Sequence, residues 1–211
     1  MGENVFILFA LCAHLNLLIK VRGGCSVVTP WYHAAMATAL ASASRIVRSP
    51  LGDLLLQADS NSLRGLRFSS AENLPPAKSA LLEQIEHELH EYFQGRRRDF
   101  GVPLELEGTE FQKRVWEELK KIPFAETISY AELAKRVGSA NGFRAVGAAN
   151  GANPISIVVP CHRVINSDGG LGGYGGDLWR KRWLLEHERR VAGMPPLDLF
   201  AVKTPVVVGQ K

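Results

Sequence analysis

Beyond residue 44 the hydrophobic positions fall into two regimes. The first is a set of short runs broken by turn residues: Arg45-Ile46-Val47-Arg48, Ser49-Pro50-Leu51-Gly52, Asp53-Leu54-Leu55-Leu56-Gln57-Ala58, Asp59-Ser60-Asn61 and Leu63-Arg64-Gly65-Leu66-Arg67-Phe68. Apolar runs separated by Pro, Gly, Asn and Asp clusters predict an antiparallel meander. The second regime has a helical period. Leu81, Leu82, Ile85, Leu89 and Phe93 recur at helical spacing and predict one helix. Gly95-Arg96-Arg97-Arg98-Asp99 then reads as a solvated linker.

Two capping boxes organise the next stretch. Thr109-x-x-Gln112 opens a helix carrying Phe111, Val115, Trp116 and Leu119 that ends at Ile122-Pro123. Ser129-x-x-Glu132 opens a short helix through Val137 that stops at Gly138. After Ser139-Ala140-Asn141-Gly142 another helix runs from about Phe143 to Ala152, so the pair reads as a helix-turn-helix. The second helix, Arg144-Ala145-Val146-Gly147-Ala148-Ala149-Asn150-Gly151-Ala152, is almost all small residues. It is poor in side chains that read base edges, and suits either close packing on another helix or close approach to a nucleic-acid backbone. A final helix starts at about Asp177, expected as its N-cap. It carries Leu178, Trp179, Trp183, Leu184 and Leu185 to Glu188, with Lys181 and Glu188 as polar residues able to turn inward.

Composition changes this picture little. With 46% hydrophobic and 22% charged residues in 211, the chain is an ordinary globular one. The net charge of +4 is mildly basic, compatible with a polyanionic partner. Three cysteines without a C-x-x-C pair imply neither a disulfide framework nor a zinc ribbon and fit a reducing compartment, the cytoplasm or a eukaryotic nucleus. His87 and His90 lie three apart among glutamates and read as a solvated face, so no catalytic metal and no cofactor is expected. Val5–Ile19 is apolar, yet too short for a comfortable span and interrupted by Cys12, His14 and Asn16, which argues against membrane association. Its flank carries Glu3 and no Lys or Arg, unlike an export signal. We read 1–44 as an extension, with Met36 as the working start.

The chemistry concentrates at Pro160-Cys161-His162-Arg163-Val164. Ile155-Ser156-Ile157-Val158-Val159 predicts a buried strand, and Pro160 cannot extend a ladder. Cys161 is therefore expected to be exposed at the start of a tight turn, its thiolate favoured by free N–H groups. His162 lowers the thiol pKa or relays its proton through a water. A glycine-rich loop follows, Gly169-Gly170-Leu171-Gly172-Gly173-Tyr174-Gly175-Gly176. A space-filling buried cysteine, a Cys/His hydrolase and a non-catalytic lesion-binding protein are the alternatives. The hydrolase leaves Arg144 and the smooth helix unexplained, and the binder leaves the cysteine unexplained.

Together with Ser129-Tyr130, Arg144-Ala145-Val146-Gly147, Asn153-Pro154 and Lys181-Arg182-Trp183-Leu184-Leu185-x-His187-Glu188, these motifs resemble the O6-alkylguanine-DNA alkyltransferases over roughly Ile46 to Glu188. The resemblance implies an α+β fold: a small antiparallel, ribonuclease H-like domain over 45–100, a winged-helix-like domain with the helix-turn-helix over 101–190, and a tail over 191–211. It implies a monomer without an obligate protein partner that acts on double-stranded DNA containing alkylated guanine, with O4-alkylthymine a second candidate lesion. By the same resemblance Cys161 accepts the alkyl group in a single turnover, and His162, held by Glu188, takes the thiol proton. Tyr130 assists the departing base and Asn153 braces the cysteine turn. Arg144 enters the base stack from a helix that also carries Ala145 and Gly147. Val164, Tyr174, Gly175 and Lys181 complete the base-binding set. Position 175 often carries serine in relatives, and glycine stands there in this chain.

Overall fold

The computed structural model describes residues 43–69 and 77–197, with the backbone of 20–21 and 24–25. The chain divides into two compact units, Met1–Leu40 and Ala41–Lys211. In the first, Lys20–Val21 pairs antiparallel with Gly24–Cys25. The readings of Val5–Ile19 and of Met36 lie outside the described residues.

The second unit opens with the expected meander. Strands β1 (Ala43–Ser49), β2 (Gly52–Ala58) and β3 (Leu63–Phe68) form a three-stranded antiparallel sheet in sequence order. Alternation along β2 places Leu54, Leu56 and Ala58 in the core, as a half-buried strand demands. Helix α1 (Ala80–Phe93) is capped by Ser79, whose side chain accepts from the Leu82 N–H. It turns Leu82, Ile85, Leu89 and Tyr92 inward, at the spacing of one helical face. Arg45 on β1 ties the helix down through Glu86 (2.6 Å) and the Ala77 carbonyl (3.1 Å). The arginine run after α1 is less free than expected. Arg97 is half-buried and donates to Glu91 (2.8 Å) and the Asp99 carbonyl (3.0 Å), while Arg98 lies over the Phe124 ring (5.5 Å).

The rest is mostly helical. The capping box at Thr109 is complete in both directions and opens α2 (Glu110–Lys120). Two residues, β4 (Ile128–Ser129), lead into α3 (Tyr130–Arg136), whose N-cap Ser129 accepts from the Glu132 N–H (3.0 Å). The Glu132 side chain takes Arg136 instead of closing a reciprocal box. Gly138, at φ 72°, turns the chain toward α4 (Phe143–Gly151), and the two helices pack as a helix-turn-helix. Val146, Ala149 and Asn150 face inward, and Trp116 of α2 donates its indole N–H to the Ala149 carbonyl (2.9 Å). Helix α5 (Leu178–Val191) closes the unit.

The expected strand over Ile155–Val159 is not there. Ile155 makes one bridge to Leu66 of β3, with Leu66 donating to the Pro154 carbonyl and Ser156 donating back to Leu66. The chain then turns through Ile157, at φ 72°. Apolar content alone does not separate a strand from a buried turn, and here Ile155, Ile157 and Val159 are buried without a ladder. The bridge nevertheless ties the N-terminal sheet to the segment that carries Cys161.

Candidate active site

Cys161–Arg163 forms a single 3-10 turn, and the next residues, β5 (Val164–Ile165), pair in parallel with Ile128–Ser129. That pairing sets Tyr130, the first residue of α3, beside the cysteine turn. Two asparagines fix the turn. Asn153 donates to the Val159 carbonyl (2.8 Å) and accepts from the Ile155 N–H (3.0 Å), while Asn150 of α4 donates to the Cys161 carbonyl (3.3 Å). The Val164 N–H also donates to that carbonyl.

Below the turn lies a fully buried ionic cluster. Glu188 of α5 and His162 are both wholly inaccessible, and His162 Nε2 donates to Glu188 Oε1 at 2.9 Å. Arg163 grips both carboxylate oxygens, through Nε and Nη2 at 2.9 Å each, and donates Nη1 to the Ile122 carbonyl (2.7 Å). Tyr92 donates its hydroxyl to Oε1 (2.8 Å) and the Ala125 N–H donates to Oε2 (3.0 Å). Burial by itself would raise the Glu188 carboxyl. In the acid range where the carboxylate would titrate, the charge and hydrogen bond of the protonated His162, then the hydrogen bond and charge of Arg163, reverse this and hold it far below the usual carboxylate range. An ionised carboxylate only accepts, so His162 carries its proton on Nε2 and its Nδ1 is a bare acceptor. That Nδ1 is buried without a partner. Burial depresses the His162 pKa despite Glu188, so the ring is a neutral base at neutral pH.

Cys161 corrects an expectation. It is 4% exposed rather than presented on the surface, and burial raises its thiol pKa against the lowering contributions of Asn153, Lys181 and the turn N–H groups. A three-residue turn with Pro160 ahead of it offers too few free N–H groups to outweigh desolvation. The sulfur therefore rests as a thiol, and its proton needs a base.

Above it the glycine loop, α3 and α4 enclose a cleft of about 370 Å³ lined by Tyr130, Phe143, Gly147, Gly151, Asn166, Gly173, Tyr174 and Gly175. Tyr130, Tyr174 and Lys181 lie close enough to the Cys161 sulfur to interact with its charge once it is a thiolate. Tyr130 donates to the Gly173 carbonyl (3.1 Å), and the Tyr174 hydroxyl is buried without a partner. Burial raises both phenols. Lys181 is fully buried, its pKa lowered to about 8 by desolvation. It donates to the carbonyls of Val164 (2.6 Å), Leu171 (2.5 Å) and Gly173 (3.2 Å), so its ammonium fastens the loop to the cysteine turn. At Gly175 an added Cβ would sit 3.4 Å from the Gly151 carbonyl, an ordinary contact.

Gly172 is different. At φ 67° its Cβ would fall 2.7 Å from Tyr130 Cε2 and 2.8 Å from Asn166 Oδ1. Gly172→Ala is expected to lose about 2 kcal/mol by combined backbone strain and overpacking and to displace Tyr130. Urea unfolding checks this, and a variant as stable as the parent would refute it.

On the helix-turn-helix, Arg144, Ala145 and Ala148 are exposed along one face of α4, with Gly151 and Ala152 at its end. Gly147 is half-buried behind Tyr130, 4.0 Å from where its Cβ would stand to Cε1. No side chain caps the N-terminus at Gly142. Asp177 stands at the expected start of α5, but at φ 70° it makes no capping bond and pairs with Arg180 (2.8 Å) instead.

Sequence reasoning missed four contributors. Arg163 lies inside the quoted motif, and a buried carboxylate beside a single neutral imidazole would have called for a cation. Asn150 sits one turn before Asn153. Phe143, 54% exposed at the start of α4, is an apolar residue where a solvated one is usual. Tyr92 falls on the core face of α1 with nothing in the sequence to mark its hydroxyl.

The buried imidazoles set an acid limit. Burial lowers both His162 and His187 from the ordinary value of 6.5. The unfolded chain thus binds these protons first, and stability present above pH 6.5 falls as pH drops below it. A second loss follows below the ordinary carboxylate range. Asp59, held down by the N–H of Asn61 and by Arg64, Glu91, held down by Arg97, and Glu188 are then protonated. The urea midpoint is expected to decline from pH 7.5 to 5.5, and a flat midpoint across that window would contradict this.

His87 Nε2 faces Glu91 (3.4 Å) and His90 Nε2 faces Gln94 (2.6 Å). Among the described residues no group of three or more His, Cys, Asp or Glu is placed to hold a metal, and no helix is long and apolar enough to cross a membrane.

Comparison with known proteins agrees with this arrangement. Residues 44–106 match the model of the 6-O-methylguanine DNA methyltransferase ribonuclease-like domain, and residues 110–190 that of its DNA-binding domain. The methylated-DNA–protein-cysteine methyltransferase of Mycobacterium tuberculosis is 45% identical over 161 residues, spanning 74% of this chain and 95% of the relative. That of Methanosarcina acetivorans is 43% identical over 149 residues, 68% and 96% of the two chains. The crystal structure of the Mycobacterium tuberculosis O6-methylguanine methyltransferase superposes with a TM-score of 0.65 at 42% identity, covering 75% of this chain and 97% of that one. The structure of the Mycobacterium tuberculosis protein in complex with DNA does so at 0.65 and 43%, covering 74% and 98%. Similarity at this level, over both halves of the fold, makes the chain a member of the O6-methylguanine DNA methyltransferase family.

Proposed function

We propose that this protein repairs DNA by moving a methyl or larger alkyl group from the O6 of guanine in duplex DNA onto Cys161, once per molecule. The observation that carries the reading is His162, hydrogen-bonded to a buried carboxylate on one side and bare at Nδ1 on the other, in the same turn as the buried Cys161 thiol and close in the fold to a cleft lined by Tyr130 and Tyr174.

A base inside the stack cannot present its O6 substituent to a protein side chain, so the lesion must be everted at a cost of about a few kcal/mol. The small-residue face of α4, with Ala145 and Gly147, allows close approach to the groove, and Arg144 occupies the space the base leaves. The everted guanine enters between Tyr130, Tyr174 and Gly175, with backbone groups at Cys161 and Val164 beneath it. His162 Nδ1 takes the thiol proton through a water, and Glu188 stabilises the resulting imidazolium. The Cys161 sulfur then forms a bond to the alkyl carbon as the carbon–O6 bond breaks, its electron pair going to the guanine ring. Tyr130 hydrogen-bonds the departing base as charge develops on it. The proton received by His162 balances the one that the released guanine takes up. The thioether has no route back, so no cofactor is consumed and no turnover follows.

Asn153, Asn150 and Lys181 act as positioning residues for the turn and the loop. Residues 45–100 and 101–190 serve as the two domains of a monomer that needs no protein partner and works in a reducing compartment. Incubation of the full chain with duplex DNA bearing one O6-methylguanine is expected to add one methyl mass to the Cys161 peptide. A methyl on another residue, or tight binding with no mass gain, would overturn the proposal.

A further inference from the structure

The ribonuclease-like half of the molecule reaches into the ionic cluster at one point. Tyr92, on the inner face of α1, is fully buried, and its ring packs against Phe93, Phe100, Phe124 and His187 with centroids 5.4 to 6.3 Å away. Packing alone would be met by phenylalanine. The hydroxyl instead donates 2.8 Å to Glu188 Oε1, the same oxygen that accepts from His162 Nε2 and Arg163 Nη2. Its backbone is held as well, since the Tyr92 carbonyl accepts from His187 Nε2 (2.8 Å) on the neighbouring helix. The phenol is thereby locked to the carboxylate across 96 residues of sequence.

We infer that Tyr92 is a positioning residue of the proton relay, through which the N-terminal domain sets the basicity of His162 by sharing the charge of Glu188. A carboxylate oxygen with three donors offers each of them less charge than one with two. The phenol and His162 compete for one oxygen, so Tyr92 restrains the imidazole from holding its proton too strongly. The other groups facing Glu188 are the Ala125 N–H, from the loop after α2, and Arg163. Those facing Tyr92 are His187 and, across the Phe124 ring, Arg98 and Arg163. Lys181 acts on His162 from above by charge. None of these changes when the hydroxyl alone is removed.

The inference rests on the alkyl-transfer reading for its effect on rate, but its test does not. In full-length protein with ring-labelled histidine, the His162 resonance, assigned by its loss in His162→Asn, is titrated by NMR. Tyr92→Phe is expected to raise the His162 titration midpoint by about half a pH unit, and the acid limb of the methyl-transfer rate should move up with it. Placing 3-fluorotyrosine at position 92, a stronger donor of the same shape, should move the midpoint the other way. Opposite shifts are not produced by a packing role. A midpoint unchanged within about 0.1 unit in either folded variant, with only the melting temperature altered, overturns the inference. Should the parent protein accept no methyl group at any pH, the functional reading fails, and the titration still decides the role of Tyr92.

Discussion

Glu188→Gln is expected to be the most damaging single change in the described structure after loss of the thiol itself. The amide keeps the shape, but whichever oxygen becomes the NH₂ then faces donors, Tyr92, His162 and Arg163 at Oε1 or Arg163 and the Ala125 N–H at Oε2. Arg163, 7% exposed, is left as a buried cation without its counter-charge. Breaking a buried pair in this way costs about 3 to 5 kcal/mol, enough to remove a large part of the stability of a domain of this size. Protein that stays folded should transfer methyl about 10²- to 10⁴-fold more slowly, the range for loss of positioned acid–base assistance. Urea unfolding and single-turnover transfer at pH 8 measure the two effects separately. Transfer within about threefold of the parent would show that the His162–Glu188 pair is structural only.

The second large effect should be selective. Arg144 is exposed on α4, outside the cysteine turn and the ionic cluster, so Arg144→Ala is expected to leave the reacting groups in place. What it removes is the side chain to which the proposed mechanism gives the space left by the everted base. Eversion costs about a few kcal/mol, and forfeiting part of its compensation should slow repair in duplex DNA about 10- to 100-fold. Reaction with free O6-alkylguanine, which needs no eversion, should be unaffected. The two rates measured on one preparation give the ratio directly, and an equal loss on both substrates would contradict the role given to Arg144.

Much of this was readable in the chain because local rules and tertiary context agreed. The capping residues at Thr109 and Ser129, the stop at Gly138 and the core face of α1 are short-range signals, and each stands where the residues indicate. The meander was equally legible from its turns. The misreadings arose where a local pattern was overruled from a distance. Ile155–Val159 has strand composition, but the edge of β3 accepts only the residues around Ile155 before the chain turns at Ile157. Cys161 carries the marks of an exposed nucleophile, yet it is buried in a turn that Asn150 and Asn153 pin and that Lys181 ties to the glycine loop. The roles of Arg163, Ala125 and Tyr92 depend on one carboxylate collecting donors from three separate parts of the chain. No spacing rule encodes such convergence.

The proposed mechanism turns on Cys161 as its one alkyl acceptor, and counting transferred methyl groups tests it most directly. With excess duplex DNA labelled in the methyl of one O6-methylguanine, the label bound to protein should rise to one methyl per chain and stop. Cys161→Ser under the same conditions should stay at zero while still binding the duplex. Label that continues to be released beyond one equivalent, or a Cys161→Ser protein that takes up methyl as the parent does, would contradict the account.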